Sequence, residues 1–200
     1  MTVIQNITSH LSVKKAGIAG AGGLGSNVAA ALVRSGIGHL VIADFDIVTK
    51  ANLNRQFYFE DQVGRPKVEA LRENLLRIDP KTEVTALNSR ITPQNAGDLF
   101  GTCDVVVEAF DRAGEKQWFA EWMTRHHPEK PLIMGSGMAG FGNLESIHMQ
   151  RSGNLYICGD QRETDEKQVP LLAPRVILVA MMQADLVLEL LLHQRPVQNI

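Results

Sequence analysis

Three glycines in a G-x-G-x-x-G pattern, Gly20, Gly22 and Gly25, stand between two apolar segments. Glycines in such a turn let the backbone approach a phosphate, and the start of a following helix offers free N–H groups and a positive dipole end to an anion. Asp44 lies about 20 residues further on, after the next apolar run, where a carboxylate can accept hydrogen bonds from ribose hydroxyls. This spacing predicts nucleotide binding, and a glycine turn that serves only helix–sheet packing is the alternative.

Cations beyond this turn discriminate between nucleotides. Arg55 and Lys67 follow Asp44 in the segments 52–56 (NLNRQ) and 64–67 (GRPK). A helix N-terminus is almost sufficient to bind the pyrophosphate of NAD. A triphosphate carries more negative charge and gains further negative charge during its reaction, so it needs fixed cations. The two cations therefore predict ATP rather than NAD. Lys67 as a solvated residue in a first helical turn is the alternative, although a cation at that end of a helix is mildly unfavourable.

Predicted strands and helices, which must position these residues, alternate along the chain. Apolar runs predict strands near residues 15–20, 38–43, 82–88, 103–109 and 131–135, and helices are predicted near 24–35, 65–78, 93–99, 112–126 and 174–194. This alternation is typical of a Rossmann-like α/β fold with a mostly parallel sheet and helices on both faces. Residues 143–150 and 154–158 predict a small added β-hairpin. The last helix is apolar almost all round, which predicts a buried core helix or a dimer helix.

Length and charge restrict the possible partners. The 200 residues suit a single domain, which we expect to span residues 1–200 and to bind ATP. The net charge of −2 gives no reason to expect nucleic acid as a partner. The sequence contains no apolar run of about 18 residues, as a membrane helix needs, and no signal peptide. We therefore expect a cytoplasmic protein without a membrane partner.

Five segments carry a resemblance to a known family. GAGGLGS (20–26), ADFDIVTKANLNRQ (43–56), GRPKVEAL (64–71) and EAFD (108–111) follow one another, and PLLAP (170–174) precedes the last helix. Together they resemble the ThiF/MoeB/HesA-type adenylyltransferases of the ubiquitin-activating-enzyme superfamily, over residues 14–192. The short chain and its segment 158–160 (CGD) are most similar to the short ThiF variants of thiamine biosynthesis.

The resemblance implies a reaction and a set of site residues. The reaction is ATP-dependent adenylation of the C-terminal glycine carboxylate of a small ubiquitin-like sulfur carrier with a Gly-Gly tail, ThiS-like, in thiazole synthesis, with release of pyrophosphate. Arg55, Lys67 and Asp111 would be catalytic, and Asp111 would also bind Mg²⁺ through its hard oxygen ligands; Asp111 as a helix cap is the alternative. The residues expected to contact ATP are Gly20, Gly22, Gly23, Leu24, Gly25, Asp44, Asp46, Asn52, Arg55, Gln56 and Lys67. A homodimer is expected.

The sequence also departs from the family. Its two cysteines cannot build the paired CxxC zinc site of many relatives, so we expect no zinc. Cys158 is expected to be a buried, inert thiol, with a covalent link to the carrier as the alternative. Relatives often carry an N-terminal arginine that reaches ATP across a dimer. Residues 5–15 contain none, so that role is empty or falls to Lys14 or Lys15.

A glycine-rich segment, residues 135–142 (GSGMAGFG), follows the fifth predicted strand. It is either a flexible surface connection or the wall of a channel for the narrow carrier tail. Arg175 stands near the start of the last helix, where a cation is unfavourable, and this predicts a nearby anion. That anion would be the carrier's tail carboxylate or a structural acid.

Two other functions stay open. One is a tRNA threonylcarbamoyladenosine dehydratase-like enzyme, which would share the ATP site, although the chain lacks a basic stretch. The other is an NAD-dependent oxidoreductase or a nucleotide-binding module without catalysis. The chain shows no Ser-His-Asp set, and adenylation of a carboxylate needs none, because a carboxylate is already a nucleophile at pH 7.

Overall fold

A seven-stranded sheet forms the centre of the computed structural model, which describes residues 2–162 and 169–192. Its strands lie in the spatial order β3-β2-β1-β4-β5-β7-β6. Every adjacent pair is parallel except β6 and β7. The strand bounds are β1 Lys15–Ala19, β2 His39–Asp44, β3 Glu83–Asn88, β4 Val105–Glu108, β5 Leu132–Gly135, β6 His148–Ser152 and β7 Leu155–Gly159.

Helices cover both faces of the sheet. Their bounds are α1 Val3–Leu11, α2 Gly23–Arg34, α3 Lys67–Ile78, α4 Ala96–Phe100, α5 Ala113–His126 and α6 Ala173–Leu192. Residues of α1, α2, α3 and α6 belong to one apolar core, and residues of α4 and α5 belong to the other. The sequence-based prediction of a Rossmann-like, mostly parallel α/β fold is confirmed. Among the helices within residues 2–162 and 169–192, none combines the length and the apolar character needed to cross a membrane.

Successive residues of a strand pack alternately into these two cores. On β2, Leu40 and Ile42 pack into the core that contains α2, whereas Val41 and Ala43 pack into the core that contains α5. Because both faces of the central strands β1, β2, β4 and β5 are buried, these strands are continuous apolar runs rather than alternating ones. This is the reason that the runs could be located in the sequence.

The predicted hairpin needs correction. Its strands form at 148–152 and 155–159, and residues 144–146 form a 3₁₀ turn instead of a strand. Moreover, β7 pairs in parallel with β5, so that the hairpin extends the main sheet. The helix α1, which begins with a capping box formed by Thr2 and Gln5, was not predicted, because it buries only Leu11. The last two residues of the predicted helix 174–194 lie outside the described residues.

Candidate functional site

A cleft of about 440 Å³ runs along the carboxyl edge of the sheet. Segments at the ends of β3, β2, β1, β4 and β5 line it in that spatial order. Its walls are formed by residues 89–91, 44–46, 20 and 22–24, 109–113, and 135–139. The crevice outside the carboxyl ends of the strands is where open α/β sheets bind their ligands. All but one of the predicted site residues line this cleft: Gly20, Gly22, Gly23, Leu24, Asp44, Asp46, Asn52, Arg55, Gln56, Lys67 and Asp111.

The exception is Gly25, which is buried beneath the glycine turn. A Cβ at this position would stand 1.9 Å from the carbonyl oxygen of Gly20, so only glycine allows α2 to approach β1. Gly20 has a φ of +104°, a conformation that favours glycine. The first turn of α2 has no side-chain cap, so its N–H groups are available to an anion in the cleft. Gly25 therefore serves the packing of α2 on β1, whereas Gly20, Gly22 and Gly23 line the cleft, where a phosphate can approach the backbone.

Asp44 ties the end of β2 to the glycine turn. Its Oδ2 accepts a hydrogen bond from the Ala21 N–H at 2.6 Å, and its Oδ1 accepts one from the Asp46 N–H at 2.8 Å. Each carboxylate oxygen keeps further acceptor capacity, so the group can also accept from ribose hydroxyls. The hydroxyl of buried Tyr58 donates to the Ala21 carbonyl at 2.7 Å. Burial, reinforced by the charges of Asp44 and Asp46, raises the pKa of Tyr58 well above its ordinary value, so that it stays a donor.

Two polar side chains of α2 fasten the segment 52–58 onto the glycine turn. Asn27 donates from Nδ2 to the carbonyls of Gly23 at 2.6 Å and Arg55 at 3.0 Å. Ser26 accepts at Oγ from the Phe57 N–H at 3.0 Å. These positioning residues were not singled out from the sequence. The only signal for them is that a serine and an asparagine interrupt an otherwise apolar helix directly after the glycines.

Gln56 and Arg55 enter the cleft from this fastened segment. The Oε1 atom of Gln56 is buried and has no hydrogen-bond partner among the described residues. The Arg55 guanidinium donates to the carbonyl of Ala51 and to Oδ1 of Asn54. No carboxylate within residues 2–162 and 169–192 forms an ion pair with Arg55. Both side chains can therefore still bind a ligand.

Lys67 begins α3 with its side chain only 8% exposed. Its Nζ lies 2.8 Å from Oδ2 of Asp46, whose own side chain is half exposed. The alternative of a solvated lysine is therefore wrong. The ion pair offsets the burial of the ammonium and its position at the positive end of a helix. It also directs the charge of Lys67 into the cleft.

Asp111 lies in the turn between β4 and α5 and is exposed. Among the described residues, its carboxylate forms no ion pair or hydrogen bond. The N-cap residue of α5 is Arg112, and no side chain caps that helix, so the predicted alternative of Asp111 as a cap is not observed. An exposed carboxylate without an internal partner fits a hard divalent cation.

Positive side chains outnumber negative ones along the cleft, although the chain as a whole has a net charge of −2. Within the described residues, the acidic lining side chains are Asp44, Asp46, Asp111 and Glu115, and the basic ones are Arg55, Lys67, Arg90, Arg112, Lys116 and Arg162. Four of these cations were not predicted, because they come from loops and helix starts far apart in the sequence. Such an excess favours a polyanionic ligand.

The far side of the cleft is formed by the start of the glycine-rich segment. Residues 135–139 line the cleft, whereas residues 140–142 do not. Arg175 holds this region: its guanidinium donates to Oδ2 of Asp160 at 2.6 Å and to the carbonyl of Gly142 at 2.6 Å. Asp160 is thus the anion predicted near Arg175, and it is a structural acid. Lys15 begins β1 at the opposite edge of the sheet, so neither Lys14 nor Lys15 can reach the cleft of its own chain.

Both cysteines are buried and free. Within residues 2–162 and 169–192 no group of three or more His, Cys, Asp or Glu side chains could hold a metal ion, and the absence of zinc stays a prediction. Burial raises the pKa of the Cys158 thiol to about 11. Thiolates are the reactive form of cysteine, so this thiol is inert near neutral pH.

Cys158 should therefore resist iodoacetamide at pH 7–8 in the folded protein and react only after unfolding. The expected reactivity rises with pH as the thiol approaches its pKa of about 11. Mass spectrometry of the protein labelled with and without urea measures this. The Cys158→Ala variant should keep its adenylation activity, because an acyl-adenylate forms without a thiol; rapid labelling of the folded protein would contradict the prediction.

One protein family matches almost the whole chain. The profile of the ThiF family matches residues 2–200. Among curated proteins, the adenylyltransferase and sulfurtransferase MOCS3 of Culex quinquefasciatus is 32% identical over 155 residues, which is 76% of this chain and 35% of that protein. The molybdopterin-synthase adenylyltransferase of Salmonella typhimurium is 28% identical over 182 residues, 88% of this chain and 72% of that protein. The chain thus spans about a third of the length of the first of these relatives.

Solved structures share the fold. The E. coli tRNA N6-threonylcarbamoyladenosine dehydratase TcdA in complex with ATP superposes with a TM-score of 0.86 at 20% identity, covering 98% of this chain and 92% of that one. E. coli MccB with ATP gives a TM-score of 0.72 at 24% identity, over 92% of this chain and 57% of that one. At these identities the likeness concerns the arrangement of the sheet and helices.

Proposed function

This chain belongs to the ThiF family, and from that premise we propose that it uses ATP to adenylate the C-terminal carboxylate of a small ubiquitin-like carrier protein. The observation that supports the proposal best is the cleft itself. It joins a glycine turn and a strand-end aspartate to an excess of cations, with Asp111 exposed at the next strand end. These groups can bind a ribose, a triphosphate and a metal ion.

The order of the strand ends suggests how ATP lies in the cleft. With the ribose at Asp44 and the phosphates at the glycine turn, the base extends toward the end of β3. There the Arg90 guanidinium stacks 4.2 Å from the centre of the Phe45 ring, and this half-exposed pair offers a flat surface to a purine. The polyphosphate then lies among Arg55, Lys67 and Asp111, with Lys67 held by Asp46 beyond β2 and Asp111 in the turn after β4.

The proposed chemistry needs positioning and charge rather than a general base. The carrier carboxylate attacks the α-phosphorus, and pyrophosphate leaves. Arg55 and Lys67 would stabilise the charge that grows on the phosphate oxygens. Asp111 would hold Mg²⁺, which neutralises the phosphates of bound ATP. The tail would reach the α-phosphate between residues 135–139 and the glycine turn, since small residues on both sides let backbones approach closely.

The remaining parts of the proposal are more specific. A ThiS-like carrier of thiamine biosynthesis is proposed on the similarity of segment 158–160 and the short chain to short ThiF variants. A single adenylation domain over residues 1–200, a cytoplasmic location and a homodimer also belong to the proposal. The alternative is a tRNA threonylcarbamoyladenosine dehydratase-like activity, because such an enzyme would share the ATP site and TcdA has the same fold. An NAD-dependent oxidoreductase is disfavoured, because a pyrophosphate does not need so many cations.

ATP–pyrophosphate exchange tests the proposal. We expect exchange with Mg²⁺ and a ThiS-like carrier that ends in Gly-Gly, and none without carrier or with a carrier that lacks its last glycine. The truncated carrier keeps its fold but cannot bring a carboxylate to the α-phosphate. Equal exchange with the truncated carrier would refute the tail path. ATP consumption driven by modified tRNA, or tight NAD binding without ATP binding in calorimetry, would refute carrier adenylation.

A further inference from the structure

A buried ion pair lies directly beneath the cleft. Glu108, the last residue of β4, is 0% exposed. Its Oε1 accepts a hydrogen bond from the Phe110 N–H at 2.6 Å, and its two oxygens lie 2.9 and 3.0 Å from Nζ of Lys116. Burial raises the pKa of Glu108, and the charge of Lys116 opposes that rise. Three N–H contacts to two oxygens are the geometry of an ionised carboxylate.

Lys116 also reaches a third element. It stands in the first turn of α5, lines the cleft, and donates from Nζ to the carbonyl oxygen of Gly135 at 2.9 Å. A lysine is unfavourable at the start of a helix, so local helix preference does not account for it. One ammonium group therefore joins the ends of β4 and β5 to the start of α5.

Lys116 joins the ends of β4 and β5. Each of these strand ends leads into one wall of the cleft, and the reaction is proposed to take place between the two walls. The Phe110 N–H, which Glu108 holds, directly precedes Asp111. Gly135 begins the wall 135–139, along which the carrier tail is proposed to pass. A side chain of α6 supports the same corner, since Gln183 donates from Nε2 to the Glu108 carbonyl at 3.3 Å.

We propose that Lys116 is a positioning residue for adenylation: through Glu108 and the Gly135 carbonyl it sets the distance between the Asp111 turn and the wall 135–139. This inference rests on the proposed function, because those walls are assigned to the metal ion and to the carrier tail. Lys116 does not touch the reacting atoms in this role. It keeps two groups that do so at the right separation.

The proposal predicts a particular kinetic pattern for Lys116→Met. The Mg²⁺ concentration for half-maximal exchange and the KM for the carrier should both rise, on the order of tenfold, because small displacements of positioned groups are costly. The KM for ATP should change little, since Asp44 at the end of β2, the glycine turn after β1 and Lys67 at the start of α3 form no hydrogen bond or ion pair with the Glu108 and Lys116 side chains. A purely structural role would instead lower the fraction of folded enzyme and leave both constants unchanged.

Hydrogen–deuterium exchange of the ligand-free protein gives a readout that does not depend on activity. In Lys116→Met, the amides of residues 109–112 and 135–139 should both exchange faster, while those of β1 and β2 stay protected. Because Lys116→Met leaves the Glu108 carboxylate alone, the double variant E108Q/K116M provides a neutral pair that can fold, and it should show the same two kinetic shifts. Lys116→Arg, which keeps charge and donors, should recover part of the wild-type constants.

Lys50→Met is the matched control, because Lys50 also pairs with a glutamate, Glu60 at 3.1 Å, but on the exposed surface. It should leave every constant unchanged. Wild-type enzyme that shows no carrier-dependent exchange would overturn the proposed function and this inference with it. If the wild type is active, the role of Lys116 alone is overturned by two results in the folded variants. These are unchanged Mg²⁺ and carrier constants, and unchanged hydrogen–deuterium exchange of the amides of residues 109–112 and 135–139.

Discussion

Carrier-dependent pyrophosphate exchange should fall on the order of 10²–10³-fold when Lys67 is replaced by methionine, with the fold retained. Lys67 presents a nearly buried ammonium to the cleft, held by Asp46 at 2.8 Å. A charge fixed in advance costs no reorganisation when the phosphate oxygens become more negative, so its loss affects the transition state most. The fold should tolerate the change, because the half-exposed Asp46 carboxylate that remains is solvated.

Two further variants and one control sharpen this test. Arg55→Ala and Asp111→Ala should lower exchange in the same way, since both side chains line the cleft and neither has an ion-pair partner among the described residues. Arg65→Ala removes a cation two positions before Lys67 that pairs with Glu73 at 2.8 Å on the surface, and it should leave exchange unchanged. Near-wild-type exchange in all three cleft variants would show that the catalytic residues are assigned wrongly.

The Gly25→Ala substitution should lower the free energy of unfolding by about 4 kcal/mol or more, as only severe packing defects do. The new Cβ would stand 1.9 Å from the Gly20 carbonyl oxygen and 3.1 Å from Cγ2 of Ile18. The Gly20 backbone cannot retreat, because its N–H donates to the Ala43 carbonyl at 2.9 Å. Urea unfolding followed by circular dichroism measures the change.

Gly114→Ala is the control for this loss. Gly114 lies in the first turn of α5, and a Cβ there would meet no atom within 4 Å. Alanine should therefore raise the free energy of unfolding by about 0.4–1 kcal/mol, because it restricts the unfolded chain. If Gly25→Ala unfolds at the same urea concentration as the wild type, the close approach of α2 to β1 is not a requirement of the fold.

The sequence by itself determined the elements whose signals are local. The central strands β1, β2, β4 and β5 are recognisable because they are apolar runs buried on both faces, and α2 because it directly follows a glycine turn. Asp44 could be located because a βαβ unit fixes its separation from that turn. The burial of Cys158 is likewise confirmed; it was predicted because free cysteines are among the most buried residues.

Only the tertiary structure decided which side chains meet. Lys67 pairs with Asp46 across 21 positions, and Arg175 finds Asp160 rather than a ligand. Lys116 joins two strand ends that no sequence pattern connects. These contacts depend on the strand order β3-β2-β1-β4-β5, which places loops that are distant in sequence along one edge of the sheet. A local pattern specifies an element and its faces, but the partner of a charge is set by which elements pack beside it.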